Sequence, residues 1–222
     1  HRLLNLLALI ALLPHPGVTA AVPAAAPSKT VATWYDATND MDASLAELRA
    51  NAEHFASVSL EGLGNASTTA VQRAAWMKVV TEDLKIDTYK LVGGNVGSFY
   101  TKEARDATIA GYMKVVHSDG GYTGVDLDFE HLPTGNASVT RAYSTFLRAL
   151  AAALHAAGKK LSTCVGTYPT ASDGVDVFYD PAAINETCDV IRVMNYDMYW
   201  VGGRGVPSLA GRPDCVGAGP TS

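Results

Sequence analysis

Three observations predict an α/β fold: six short β-rich runs separated by amphipathic stretches, an acid at every second position of the fourth run, and no Gly-x-Gly-x-x-Gly after the first. Alternation this regular implies a parallel sheet. The expected architecture is a (β/α)8 TIM barrel, incomplete, with about six βα units present, because a whole barrel takes about 250 residues. A doubly wound open sheet would alternate in the same way, but the missing glycine pattern removes the usual support for nucleotide binding there. Residues 1–26 read as a signal peptide, 27–200 as the partial barrel domain and 201–222 as an irregular tail rich in Gly and Pro.

The elements follow in order. Arg2 precedes an almost wholly apolar run, 3–13, then Pro14, Pro16 and the small residues Val18, Thr19, Ala20 and Ala21. That is the pattern of a secretory leader cleaved near Ala20 or within 24–26, its apolar run being too short to span a bilayer. Strands are expected at 31–35, 55–60, 89–92, 124–130, 160–166 and 190–196, where β-branched and aromatic residues concentrate. Helices are expected between them at 44–54, 69–84, 102–117 and 139–157, the last stopped by Gly158 as a C-cap. After 201 the chain reads Val-Gly-Gly-Arg-Gly-Val-Pro-Ser, which is loop chemistry.

Composition narrows the partners. A chain of 222 residues with 48% hydrophobic and 18% charged residues and a net charge of -5 has the balance of one soluble globular domain. No basic stripe with interleaved aromatics occurs, and the pI of about 5.6 disfavours nucleic acid and anionic membranes, so a neutral substrate is expected. After the leader no run is long enough to cross a membrane. Three Asn-x-Ser/Thr sequons, at Asn65, Asn136 and Asn185, fall between the expected elements and agree with a secretory route. Cys164, Cys188 and Cys215 leave an odd count with no zinc spacing, so one thiol is free or pairs outside the chain. A monomer is expected.

The chemistry concentrates in Gly124-Val125-Asp126-Leu127-Asp128-Phe129-Glu130. Side chains alternate along a strand, so Asp126, Asp128 and Glu130 share one face and Val125, Leu127 and Phe129 the other. A solvent-facing strand of an antiparallel sheet would show the same alternation without meaning. With helices on both sides in sequence, however, the acids must face the barrel interior. Three close carboxylates in partial burial cannot all ionise freely, so at least one is expected to hold a proton near neutral pH, as a general acid must. Glu130 stands last, before the loop His131-Leu132-Pro133, where barrel enzymes place catalytic groups. His131 could tune the acid or be an ordinary loop residue. A hard cation would also take clustered carboxylates, although one strand holds them too linearly for an isolated site.

This segment resembles the fourth-strand signature of family 18 glycoside hydrolases, the chitinase family, which reads Asp-Gly-x-Asp-x-Asp-x-Glu; Thr123 stands at the first acid. Met194-Asn195-Tyr196-Asp197 resembles the family's sixth-strand Met-x-Tyr-Asp, and Gly93-Gly94 its Ser-x-Gly-Gly with Leu91 in place of Ser. The resemblance implies a retaining hydrolase of β-1,4-linked N-acetylglucosamine in chitin, chito-oligosaccharides or the N-glycan chitobiose core. The substrate's N-acetyl group then acts as nucleophile. Glu130 would be the acid and later the base, Asp128 would orient the acetamide, and Asp126 would hold Asp128 by sharing a proton. Tyr196 would hydrogen-bond the acetamide, Asp197 would contact the sugar and Met194 would line the pocket. Trp34 and Trp200 are candidates for sugar stacking at strand ends, and Asp36 for the pocket rim. No metal or organic cofactor is implied. The expected location is extracellular, or the lumen of a lysosome or vacuole. Two other readings share the scaffold: a non-catalytic oligosaccharide-binding lectin, disfavoured because Glu130 is present, and a metal-dependent hydrolase, which chelators would inactivate.

Overall fold

The computed structural model describes residues 31–130, 132–133, 135–166 and 178–194. Six strands, β1 (Val31–Ala37), β2 (Phe55–Leu63), β3 (Asp87–Val92), β4 (Gly124–Leu127), β5 (Lys160–Gly166) and β6 (Val190–Met194), form one sheet in chain order. Every neighbouring pair is parallel. This is the incomplete (β/α)8 barrel expected from the alternation.

Five helices connect the strands: α1 (Met41–Ala50), α2 (Ala70–Lys78), α3 (Lys102–Val116), α4 (Ala137–Ala156) and α5 (Pro181–Thr187). Each starts at a residue whose side chain accepts a backbone N–H of the first turn: Asp40, Thr69, Thr101, Asn136 and Asp180. These caps satisfy donors that a helix cannot satisfy internally. At Thr69 the bond is reciprocated by Gln72, a capping box. After α4 the chain reverses through Gly158 at φ +67, the left-handed conformation that favours glycine.

The structure shifts several expected boundaries. The ladder of β4 ends at Leu127 rather than at residue 130, and β1 and β2 run to Ala37 and Leu63. The expected helix over 69–84 is α2 followed by one π turn, Val79–Asp83, in which Leu84 N–H donates to the Val79 carbonyl. Helix α1 starts at Met41, before the expected residue 44, because the Asp40 cap sets its first turn. Helix α5 was not expected at all, and it puts Asn185 inside a helix instead of between elements.

The main core lies between sheet and helices. Val58, Leu60, Val125, Leu127 and Leu161 point outward from the strands and are fully buried against Leu48, Phe146, Leu150 and Leu154 of the helices. An aromatic cluster anchors this layer beneath the end of β4: Phe99, Phe129, Tyr143 and Phe146 have ring centroids 5.3 to 6.1 Å apart. Buried aromatic area of this size is among the largest stabilising contributions a small domain has. Among the described residues no helix is long and apolar enough to cross a membrane.

Candidate active site

The parity of each strand decides what faces the barrel interior. Parallel register aligns Ser59 with Tyr89, Tyr89 with Gly124, and Asp126 with Ser162, so these residues share one face. Trp34 joins them from β1 opposite Ser59, and Arg192 from β6 opposite Cys164. The interior is therefore polar where the outer layer is apolar.

The acid row behaves as the alternation predicts. Val125 and Leu127 are 0% exposed and Phe129 is 3% exposed, all three on the helix side. On the other side Asp126 is fully buried, Asp128 half-buried and Glu130 exposed, a graded climb to the mouth. Asp128 N–H donates to the Val92 carbonyl at 2.8 Å, carrying β4's alignment one residue past its ladder. Gly93 and Gly94 make that junction possible. A Cβ on Gly93 would lie 2.7 Å from the Asp128 carbonyl oxygen, and one on Gly94 would lie 2.9 Å from the Phe129 ring.

Charge follows depth. Burial first, and then the carboxylates of Glu130, Asp126 and Glu61, push the Asp128 carboxyl above the usual range. Asp126 instead meets a cation: its Oδ2 lies 3.2 Å from Nε of Arg192, an ion-pair approach off the hydrogen-bonding direction. Cys164 donates its thiol to the same oxygen at 3.5 Å, and burial pushes that thiol's pKa up, so it remains a neutral donor. No hydrogen bond joins Asp126 to Asp128 among the described residues. The contacts of Asp126 are instead with Arg192 and Cys164.

Other candidates are placed unevenly. Trp34 faces the interior and hydrogen-bonds Cys164 across the barrel, so at least its indole N–H is engaged in the structure's own packing. Met194 ends β6 on the interior face opposite Gly166. Asp36 sits exposed at the top of β1, where the Thr38 hydroxyl and backbone N–H hold its carboxyl below the usual range. Tyr196, Asp197, Trp200 and His131 lie outside the described residues, as do the expected leader and the Gly/Pro-rich tail. Cys164 and Cys188 are both unpaired thiols, and Cys215 lies outside the described residues. Among the described residues no group of three His, Cys, Asp or Glu is arranged to hold a metal ion.

Sequence reasoning missed Arg192. The available signal was a single arginine at the central position of an otherwise apolar strand, with the parity of Val190 and Met194. In a parallel barrel such a residue is buried on the inner face and requires an acid there.

Parallel β/α architecture with carboxylates climbing to the carboxyl end of the fourth strand defines a barrel of the enzyme class whose chemistry sits on that face. The chain belongs to the glycosyl hydrolases family 18, whose sequence model matches residues 20–208. Its fold is similar to the C-terminal domain of a candidate chitinase from Desulfitobacterium hafniense, at 17% identity and TM-score 0.62 over 78% of this chain and 56% of that one. A chitinase from Chromobacterium violaceum is similar at 19% identity and TM-score 0.59, over 80% of this chain and 60% of that one. A class V chitinase from Pseudomonas fluorescens follows at 20% identity and TM-score 0.57, over 75% and 54%. The chain thus spans little more than half the length of these structures. Comparison with curated proteins found no match.

Proposed function

We propose that this protein hydrolyses β-1,4-linked N-acetylglucosamine, in chitin, chito-oligosaccharides or the chitobiose core of N-glycans, with retention and with the substrate's own acetamide as nucleophile. The observation that carries the reading is the graded acid row at the carboxyl end of β4. Glu130, exposed at the mouth, is within reach of a glycosidic oxygen and protonates it as the bond to the anomeric carbon breaks. The acetamide oxygen closes on that carbon to give an oxazolinium ion. Asp128 orients the acetamide N–H and balances its developing positive charge. Water then opens the ring, delivering its proton to Glu130. Tyr196, Asp197 and Met194 contact the sugar, and Trp34 and Trp200 offer stacking faces. The apolar N-terminal run and the three sequons support export, to the outside of the cell or to a lysosomal or vacuolar lumen.

The family membership supports this reading, as does a solved complex: the Ostrinia furnacalis Group II chitinase catalytic domain, 15% identical with TM-score 0.55, was crystallised with a chito-oligosaccharide. The test compares release of sugar from acetylated and fully deacetylated chito-oligosaccharides in EDTA, with the first product's anomer followed by NMR. Cleavage of the acetylated substrate alone, with a retained anomer, is the expected result. Equal cleavage of both, an inverted product or inactivation by the chelator would defeat it. Tight binding without turnover by the full chain would make the protein a lectin.

A further inference from the structure

The side chain of Arg192 crosses the barrel interior and touches four other strands. Besides the 3.2 Å approach to Asp126 of β4, its Nη2 donates to the Ser57 hydroxyl of β2 at 2.9 Å. Its Nη1 points at the Thr33 carbonyl of β1 at 3.5 Å, and its Cζ lies 5.3 Å from the centroid of the Tyr89 ring on β3. Its side chain is 2% exposed and that of Asp126 is 0% exposed. A guanidinium held at this many points is not free to leave its carboxylate, and a charge so enclosed is not screened by salt. The partner it holds is the deepest member of the acid row, one pleat below Asp128.

We propose that Arg192 is the positioning residue of the acid row: by holding Asp126 in a fixed ion pair, it sets the position and charge of the carboxylate beneath Asp128, the group that orients the acetamide. Asp126 then acts as a rigid strut beneath Asp128. The inference rests on the hydrolase reading above but adds to it a residue outside the motifs that suggested it. The titratable groups that feel the pair are Tyr89 from β3, Asp128 from β4, Cys164 from β5 and Cys188 after α5; Glu61 and Glu130 act on Asp128, and Asp87 and Asp189 on Tyr89. β1 presents the Thr33 carbonyl and the Trp34 indole. Lys160 pairs with Asp87 and Lys90 lies near Glu61, whereas Arg192 is the cation paired with Asp126, so its removal must raise the proton affinity of that carboxyl.

The test is the pH profile of kcat/KM for a chromogenic N-acetyl chito-oligosaccharide, measured on the full chain. Arg192→Met should move the acid limb upward by about one pH unit, because Asp126, one of the carboxylates that raise Asp128, then acts on it without a counter-charge. Arg192→Lys should restore most of that movement. A rate lowered equally at every pH, with the limb unmoved, would reduce Arg192 to a packing residue and overturn the proposal. If Arg192→Met fails to fold, thermal melts of Asp126→Asn and the double variant decide. Pairing predicts a double variant more stable than either single change, whereas additive losses would overturn it. A wild-type chain with no hydrolysis at any pH would instead sink the hydrolase reading, a result distinct from an active enzyme whose limb ignores Arg192.

Discussion

The helix side and the barrel side of the sheet use the same strands for opposite purposes. Phe129 is 3% exposed and packs within 6 Å of three other aromatic rings. Its neighbour Asp128, pointing the other way, has its carboxyl driven towards the protonated form by burial and by three nearby acids. The outer layer converts area removed from water into stability. The inner layer holds like charges together against their own desolvation and repulsion, an arrangement that persists where chemistry requires it. Stability and chemistry are therefore separable by side-chain parity, and adjacent residues should respond to substitution in unrelated ways.

The largest separation is expected at Glu130→Gln. Loss of the transferable proton should lower hydrolysis by roughly 10²–10⁴-fold. The melting temperature should hardly move, since the side chain is exposed. A large drop in Tm alongside the lost rate would break the comparison. The converse variant is Phe146→Ala, which opens a cavity in the fully buried aromatic cluster. It should cost about 3–5 kcal/mol in denaturant unfolding while leaving kcat unchanged at temperatures where the fold persists.

Asp128→Asn sharpens the contrast because it should lower the rate and raise the stability at once. The folded carboxyl binds its proton more tightly than the unfolded one, so its stabilising contribution is present at low pH and is lost as pH rises through the folded value. Replacing it should raise Tm at neutral pH, with the gain fading towards about pH 4, where the unfolded carboxyl also becomes protonated. A gain of equal size at both ends would assign the effect to packing. Smallest is Asn136→Ala at the start of α4, where the side chain accepts from Ser138 and Val139 N–H. Loss of the cap should reduce stability by about 1 kcal/mol, and the pH profile of hydrolysis should stay where it was.

Much of this division is legible in residues 124–130, where strict alternation states both faces at once. The order of the six strands is equally legible, because each hydrophobic run is separated by a helix-length segment and parallel pairing follows. Alternation, however, continues past the hydrogen-bonded ladder, which is why Glu130 reads as strand while β4 stops at Leu127. Helix α5 escapes because seven residues are too few to show a 3.6-residue period, although Asp180 followed by Pro181 is a cap-and-first-turn signature. Arg192 escapes for a different reason. Its partners Thr33, Ser57, Tyr89 and Asp126 are contributed by four other strands, and no local pattern in β6 encodes them.

Chain order and strand order coincide throughout the sheet, and this has a consequence for synthesis. At 5–20 residues per second, a ribosome releases each βα unit of about 30 residues within a few seconds, and each new strand finds its neighbour already waiting. The outer hydrophobic layer can therefore condense in the order in which it is translated. The centre cannot. Arg192 reaches Ser57 and Thr33 across separations of 135 and 159 residues, so the cation beside Asp126 arrives with the last described strand. Until then the nascent sheet carries that carboxylate without its counter-charge, which is delivered only with β6.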